Sequence, residues 1–311
     1  MDERIRVSFM NLNINLLKNK FGKNLILNEN LSRYSWFNLG GPANIFFRPE
    51  SKKQLIEFLN EIKNLNFKID ILGAGSNTLI RDRGVNGVVI KLSSKFSNLK
   101  LLKKDTIEVG ASTLDKKVSE YAKDNSIGNL EFLSCIPGSI GGAIMMNSGC
   151  YDSDISKILV SVKVVDFEGN ELDIKKENIS FFYRGSNISK NYIIISAVLK
   201  GKLLSKELVK EKINYLINKK KDSQPSKIKT GGSTFKNING VKAWKLIKDS
   251  GCDKFSVGGA KISELHSNFF VNDGSAKASD VEKLIEKVRK EVQLKTGVNL
   301  ELELKIIGDE I

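Results

Sequence analysis

The amino-acid sequence predicts an α+β fold in more than one domain. Three observations carry this. The chain has 311 residues, enough to bury two or three separate cores. Runs with a helical apolar period are interspersed with strand-like runs and one clear hairpin. A polar stretch with proline and glycine, "KDSQPSKIKTGG" (Lys221 to Gly232), reads as a linker ahead of a compact α+β region, and the chain divides roughly into 1–205 and 206–311.

The elements follow in order. "SKKQLIEFLNEIKNLN" (Ser51 to Asn66) is a helix. Ser51 and Gln54 form its capping box, and Leu55, Ile56, Leu59 and Ile62 share one face. "FKIDIL" is a strand that runs into glycines, and "GVVIKLS" and "TIEVGAS" are further strands. Ser112 to Asn125 is a short helix with Leu114, Val118 and Tyr121 inward. Lys157 to Lys176 is a hairpin turning at "EGN", and "NYIIISAVLKG" is a buried strand. Ser205 to Lys221 is a helix whose positive end suits the C-terminal dipole. Past the linker, "GVKAWKLIKDSG" is a helix ending at Gly251, and "KFSVGGAKIS" and "NFFVND" are strands. The helix Ser279 to Gly297 is the clearest in the chain. Ser279 and Glu282 form its capping box, Val281, Leu284, Ile285, Val288 and Val292 its core face, and Gly297 its stop. "NLELELKIIG" alternates strictly and reads as a terminal strand.

Composition narrows the function. Hydrophobic residues make up 41% and charged residues 28%, the balance of a soluble globular protein. No apolar run reaches the roughly 18 residues of a membrane helix. "MDERIRVSFM" lacks a signal-peptide core, so cytoplasmic residence without membrane insertion is expected. Cys135, Cys150 and Cys252 stand far apart, against a disulfide framework or a zinc site, and no metal is expected. His266 is the single histidine, with no G-x-S-x-G beside which it could serve a hydrolase. The net charge of +14 raises nucleic-acid binding as one reading. Lysines share their helices with glutamates on nearly every segment, however, so solvated faces are the favoured reading and no nucleic-acid partner is expected.

Two glycine clusters hold the chemistry. "LGAGSNT" follows the first strand with Gly73, Ala74, Gly75, Ser76, Asn77 and Thr78. Successive N–H groups there can form a nest for phosphate oxygens. The P-loop lysine is absent, and Thr78 stands where a third Rossmann glycine would be. "IPGSIGGAIMMNSG" supplies Pro137 and Gly138 for a turn and Gly141 and Gly142 for close approach. Either cluster alone could be a structural corner. Together they predict a dinucleotide pinned at both ends.

The order of motifs resembles a known family. "NLGGPA" (Asn38 to Ala43), "GAGSNTLI", "IPGSIGGAIMMNSG", "FFYRGS" (Phe181 to Ser186), "GGSTFKN" (Gly231 to Asn237), "AKISELHSNFFVN" (Ala260 to Asn272) and "LELELKIIG" (Leu300 to Gly308) look like the UDP-N-acetylenolpyruvoylglucosamine reductase family. The resemblance spans about residues 33–308. It implies the FAD-binding fold of the vanillyl-alcohol-oxidase type in two subdomains, 1–92 and 93–205, plus a smaller α+β substrate-binding domain, 206–304. The tail 305–311 would return to the first subdomain. It also implies noncovalent FAD, NADPH as cosubstrate and a UDP-sugar substrate. Gly73 to Thr78, Gly110, Ala111, Pro137, Gly138, Ser139, Gly141, Gly142, Ala143 and Asn147 would line FAD.

The family's reaction passes hydride from NADPH through FAD to the methylene carbon of an enolpyruvyl ether. By resemblance, Arg184 of "YRGS" binds the substrate carboxylate, Ser233 of "GGSTFKN" donates a proton, and Glu303, five residues before Gly308, shares a proton with the enol or carboxylate. Tyr183, Lys236 and Asn237 would touch substrate. Taken singly, each has a plainer reading: a surface ion pair for Arg184, a turn residue for Ser233 and an exposed strand acid for Glu303. Departures are at loop level: Ile238 replaces a proline, "SWFN" an expected threonine–phenylalanine lead, and Gly231-Gly232 an alanine–glycine pair. No long insertion follows "FFYRGS", as in the family type without an extra tyrosine loop. The rival readings are another FAD oxidoreductase on the same fold, and a basic nucleic-acid-binding protein.

Overall fold

The computed structural model describes residues 14–225, 228–238 and 240–310. The stretch from Met1 to Met10, on which the expectation of cytoplasmic residence partly rested, lies outside them, as does Lys227 of the linker. Three sheets organise the molecule.

The first sheet holds β1 (Leu25–Asn30), β2 (Pro42–Phe47), β3 (Ile69–Ile71) and β5 (Val85–Ile90), in the order β1-β2-β5-β3. β1 and β2 are antiparallel, whereas β5 runs parallel to both β2 and β3. The helix α1 (Lys52–Ile62) links β2 to β3. Ser51 Oγ accepts from the Gln54 N–H at 3.1 Å, but the Gln54 amide reaches back to the Glu50 N–H rather than to Ser51. Leu55, Phe58, Leu59 and Ile62 are its buried face, so Phe58 takes the place expected of the half-buried Ile56. A short strand β4 (Thr78–Ile80) leaves this sheet and pairs in parallel with the last strand of the chain.

The second sheet is antiparallel: β6 (Leu99–Lys103), β7 (Thr106–Gly110), β8 (Leu159–Asp166), β9 (Glu171–Lys175) and β10 (Tyr192–Lys200), in the order β9-β8-β10-β7-β6. Its hairpin β8–β9 turns at Gly169. The helices α2 (Asp115–Asp124), α3 (Ile140–Met145) and α4 (Lys206–Ser223) complete this part of the molecule. Leu114 does not face inward: it precedes α2 in an extended conformation, bridges Ser139 and is 47% exposed. Asp115, Val118, Ser119 and Ala122 form the buried face instead.

The third sheet holds β11 (Lys229–Ser233), β12 (Ser256–Val257), β13 (Ala260–Ile262) and β14 (Phe269–Asn272), in the order β11-β14-β13-β12. The helices α5 (Ala243–Asp249) and α6 (Ala278–Thr296) accompany it. The last third of the expected linker, residues 229–232, is therefore strand, and its first three residues close α4. β11 pairs with the fully buried β14, and the ladder slips between Thr230 and Ser233 to absorb two glycines. β15 (Lys305–Ile307) is the strand that joins β4.

Two further expectations need correction. Ser279 and Glu282 do not cap α6. The helix starts at Ala278, and Asp82 caps it from the β4–β5 turn, accepting from the Ala278 and Ser279 N–H groups at 2.8 and 2.9 Å. Glu282 instead pairs with Arg81 at 2.9 Å. The helix does end at Gly297, whose φ is 72°. The terminal segment is a strand only over Lys305–Ile307. Leu300 and Leu304 insert into the third core, the one between the third sheet and its helices, and Leu302 packs on it, so the alternation is real, but among the described residues the only ladder partner there is the single Phe235–Leu302 bridge.

Candidate active site

The two glycine clusters adjoin. A Cβ on Gly73 would lie 3.0 Å from Ser139 Oγ, so the loops face each other at one place rather than pinning two ends of a ligand. Gly75 serves the fold: its φ is 72°, it is buried, and an added Cβ would overlap the Tyr34 carbonyl oxygen. The backbone N–H groups of Gly73, Ala74, Gly75, Ser76 and Asn77 have no hydrogen-bond partner among the described residues. Gly142 is exposed, and a Cβ there would meet nothing nearer than Ser139 Oγ at 3.9 Å.

The other predicted cofactor residues fall into a supporting layer. Thr78 opens β4 and its carbonyl accepts from Ser35 Oγ at 3.0 Å. Gly110 packs on Phe96, Ala111 accepts the Gly141 N–H at 2.9 Å, and Gly138 packs on Asp115. Pro137 is exposed at the turn, whereas Ala143 is buried in α3. Asn147 is buried and fully employed: it accepts from the Ser156 N–H at 3.0 Å and donates to the Phe182 carbonyl at 3.2 Å.

That last bond leads to the acid–arginine corner. Phe181–Phe182 and Gly185–Ser186 form a two-residue ladder, with Tyr183 and Arg184 at its tip. Ser186 Oγ donates to the Met145 carbonyl at 3.3 Å, so the end of α3 holds both sides of this hairpin. Arg184 has φ 59°, a conformation uncommon for a side chain with a Cβ. Its Nε donates to Glu303 Oε1 at 2.7 Å, and its guanidinium lies 4.9 Å from the Tyr183 ring centre. The Glu303 backbone is held in turn by the first glycine loop. Asn77 Nδ2 donates to the Glu303 carbonyl at 2.9 Å, and the Asn77 carbonyl accepts the Lys305 N–H at 3.1 Å. Each loop therefore fixes one member of the ion pair.

Ser233 ends β11 beside this pair. The carbonyl of its neighbour Thr234 accepts the N–H groups of Glu303 and Leu304 at 2.9 and 3.2 Å. Ser233 Oγ has no partner among the described residues. Gly231 is required here, because an added Cβ would lie 2.7 Å from Leu304 Cδ1 and overlap the Phe37 ring. Lys236 Nζ lies 3.3 Å from Glu301 Oε2, and Glu301 is 71% exposed against 15% for Glu303. Asn237 is less available than expected: its Oδ1 accepts the Ala243 N–H at 3.0 Å and caps α5. A separate open cleft of ≈ 600 Å³, lined by Arg81, Glu310 and residues of α6, shares none of these groups.

Electrostatics distinguish the acids. Burial raises the Glu303 carboxyl above the ordinary carboxylate range, against the opposing pull of Arg184 and Lys236. Asp115, beneath Gly138, is wholly buried without a hydrogen-bond partner, and burial raises it far more. Lys91 was not singled out by the sequence. Its Nζ donates to the Gly73 carbonyl, and burial, with Arg48 nearby, lowers it to about 8. The one available signal was a lysine interrupting the apolar run "GVVIKL".

Comparison with known proteins fits both halves of this site. Residues 43–175 match the family model for an FAD binding domain, and residues 224–307 match that for the C-terminal domain of UDP-N-acetylenolpyruvoylglucosamine reductase. Curated reductases of this name are 43% identical: that of Pelagibacter ubique over 94% of this chain and 98% of its own, that of Rickettsia massiliae over 90% and 94%. The chain belongs to the UDP-N-acetylenolpyruvoylglucosamine reductase family. A solved reductase from Thermus caldophilus superposes with a TM-score of 0.78 at 32% identity, covering 91% of this chain and 97% of its own. The chain is thus an FAD-dependent oxidoreductase, with an FAD-binding fold joined to a smaller α+β unit. Family membership implies FAD as cofactor and NADPH as cosubstrate. The residues present fit such a group: five successive unpartnered N–H groups offer an anion nest suited to a diphosphate, and open space over Gly142 admits it closely.

Proposed function

We propose that this protein reduces UDP-N-acetylglucosamine enolpyruvate to UDP-N-acetylmuramate with NADPH, as a step of peptidoglycan precursor synthesis. The observation that carries the reading is the anchoring of Arg184 and Glu303 by the two glycine loops, with Ser233 beside them. Bound FAD, held noncovalently, would supply hydride chemistry between NADPH and the enolpyruvyl carbon.

The chain's own residues do the rest. Arg184 spends Nε on Glu303 and keeps its two terminal nitrogens for the substrate carboxylate. Its permanent charge stabilises the negative charge that hydride addition pushes toward that carboxylate. Ser233 Oγ donates the proton to the carbon bearing the carboxylate. A hydroxyl is a weak acid, so this donation requires a carbanion-like acceptor held in line. Burial lets Glu303 hold a proton above the usual carboxylate range, and so share one with the enol or carboxylate. Tyr183, Lys236 and the free side of Asn237 border the substrate. Gly73 to Asn77, with Ser139, Gly141 and Gly142, seat the diphosphate of the cofactor, and Thr78, Gly110, Ala111, Pro137, Gly138, Ala143 and Asn147 support them.

We divide the chain into units at 1–92, 93–205 and 206–304, with α4 at the start of the third unit packing back on the second. No helix among the described residues is long and apolar enough to cross a membrane, and cytoplasmic residence suits a UDP-sugar and NADPH. An anaerobic visible spectrum tests the function. Flavin should bleach with NADPH and return with the UDP-enolpyruvyl sugar. Bleaching without return would leave an FAD reductase with another acceptor.

A further inference from the structure

Cys135 and Cys150 bracket the second glycine loop, and nothing in the proposed reaction uses them. Cys135 closes the 3-10 turn Glu131–Cys135 and is buried. Cys150 lies in the short strand Gly149–Cys150, packed on that turn, and is partly exposed. The two side chains share one cluster beside the loop, Cys135 within it and Cys150 packed against it. Cys150 Sγ also donates to the Phe132 carbonyl at 3.5 Å, and Ser134 Oγ lies 3.7 Å from Cys135 Sγ. Lys220 reaches over from α4, donating to the Cys135 carbonyl at 2.8 Å, and places an ammonium beside both sulfurs. Cys252 is different: it is buried in the third core, against the Ser250 carbonyl.

We propose that Cys135 and Cys150 are a peroxide-reactive thiol pair that closes to a disulfide across the base of the glycine loop. Cys135 supplies the thiolate. Its thiolate sulfur attacks one oxygen of hydrogen peroxide, the O–O bond breaks, hydroxide leaves and a sulfenic acid forms. Cys150 then attacks the Cys135 sulfur, the S–O bond breaks and water leaves. In sum the two thiols lose two electrons and two protons, and one peroxide becomes two waters. The division of labour agrees with the local charges. The neighbouring Cys150 thiol, opposed by burial and aided by Ser134 and Lys220, brings the Cys135 thiol below the ordinary thiol value. The neighbouring Cys135 and burial push Cys150 up. The other titratable groups facing the pair are Tyr151 next in sequence and Arg184 across the site. The bridge would fasten both ends of the segment whose Met145 and Asn147 hold the Arg184 hairpin.

The test uses the FAD-loaded full chain. Hydrogen peroxide should convert the free-thiol count from three to one, and peptide mass spectrometry should find Cys135 linked to Cys150, reversed by dithiothreitol. Iodoacetamide at pH 7 should label Cys135 on the order of tenfold faster than Cys252. Cys150→Ser should stop at a sulfenic acid on Cys135 that dimedone traps, and Cys135→Ser should leave Cys150 reduced. Equal peroxide sensitivity at Cys252, or no linked peptide while all three thiols remain titratable, would overturn the proposal. Loss of Cys135 to sulfinic acid in the unsubstituted protein would also overturn it, because that requires Cys150 to be out of reach.

Discussion

The loop Gly73–Thr78 and the hairpin Phe181–Ser186 both reach Glu303, the first through its backbone and the second through its carboxylate. The loop's key features are small residues and bare N–H groups, both confined to its own six residues. The hairpin tip is built from charge. It makes sense only once a residue 119 positions away closes the pair. One site therefore has a cradle defined by what is absent and a reactive corner defined by what is brought in. Damage to the first should appear in flavin content or folding, and damage to the second in turnover with flavin still bound.

The largest effects should separate those two. Ser233→Ala should leave flavin reduction by NADPH nearly normal and slow reoxidation by the enolpyruvyl substrate by about 10²–10⁴-fold, read by stopped-flow in each half-reaction. Equal losses in both would place the serine in the cradle instead. Glu303→Gln should cost turnover by about 10²-fold or more, whereas Glu301→Gln, exposed and paired only with Lys236, should change it by less than about threefold. A reversed ranking would break the assignment of the buried acid.

Within the cradle, two glycines should behave oppositely. Gly75→Ala puts a Cβ into the Tyr34 carbonyl at positive φ and should destabilise apo-protein by about 2–4 kcal/mol in urea unfolding. Gly142→Ala should leave the apo unfolding midpoint within error and lower flavin occupancy. If both only destabilise, the loops are corners and not a cradle.

Smaller effects probe the supports. Asp82→Ala should cost about 1–2 kcal/mol at pH 7 by uncapping α6. Burial raises the Asp82 carboxyl, but the Ser279 and Ala278 N–H bonds outweigh it and the net direction is down. Its stabilisation is therefore present above the unfolded carboxylate range and lost as pH falls through the lower folded value, so the variant and parent should converge in acid. Asp115 has the opposite sign. Its carboxyl is raised by burial, so the parent should lose stability as pH climbs above the unfolded carboxylate range, and Asp115→Asn should flatten that slope.

The legible parts of the molecule were those that local pattern determines. The apolar faces of α1 and α6, the β8–β9 hairpin and the glycine runs all follow from spacing within a dozen residues. The misread parts have distant partners. β11 reads as linker because "KTGGS" has almost no apolar content, and it is a strand because the buried β14 requires a neighbour. Ser279 and Glu282 have ideal capping-box spacing, yet Asp82 fills that role from a distant turn. The site divides in the same way. Motif order marked Arg184, Ser233 and Glu303, but the bond from Asn77 to the Glu303 carbonyl, and Lys91 on Gly73, arise from strand placement that no local pattern displays.

The pairing of β15 with β4 has a consequence for synthesis of the chain. β4 is made early, and its partner Lys305–Ile307 lies far downstream, past the whole of the second and third sheets. The first sheet can collapse early, but the segment that follows its glycine loop must wait, with an open edge, until that distant strand has been made. Asn77 likewise finds the Glu303 carbonyl only then. Assembly of the reactive corner is thus coupled to closure of a contact between residues 226 positions apart, and a chain truncated before β15 should lack both the closed edge and the anchored acid.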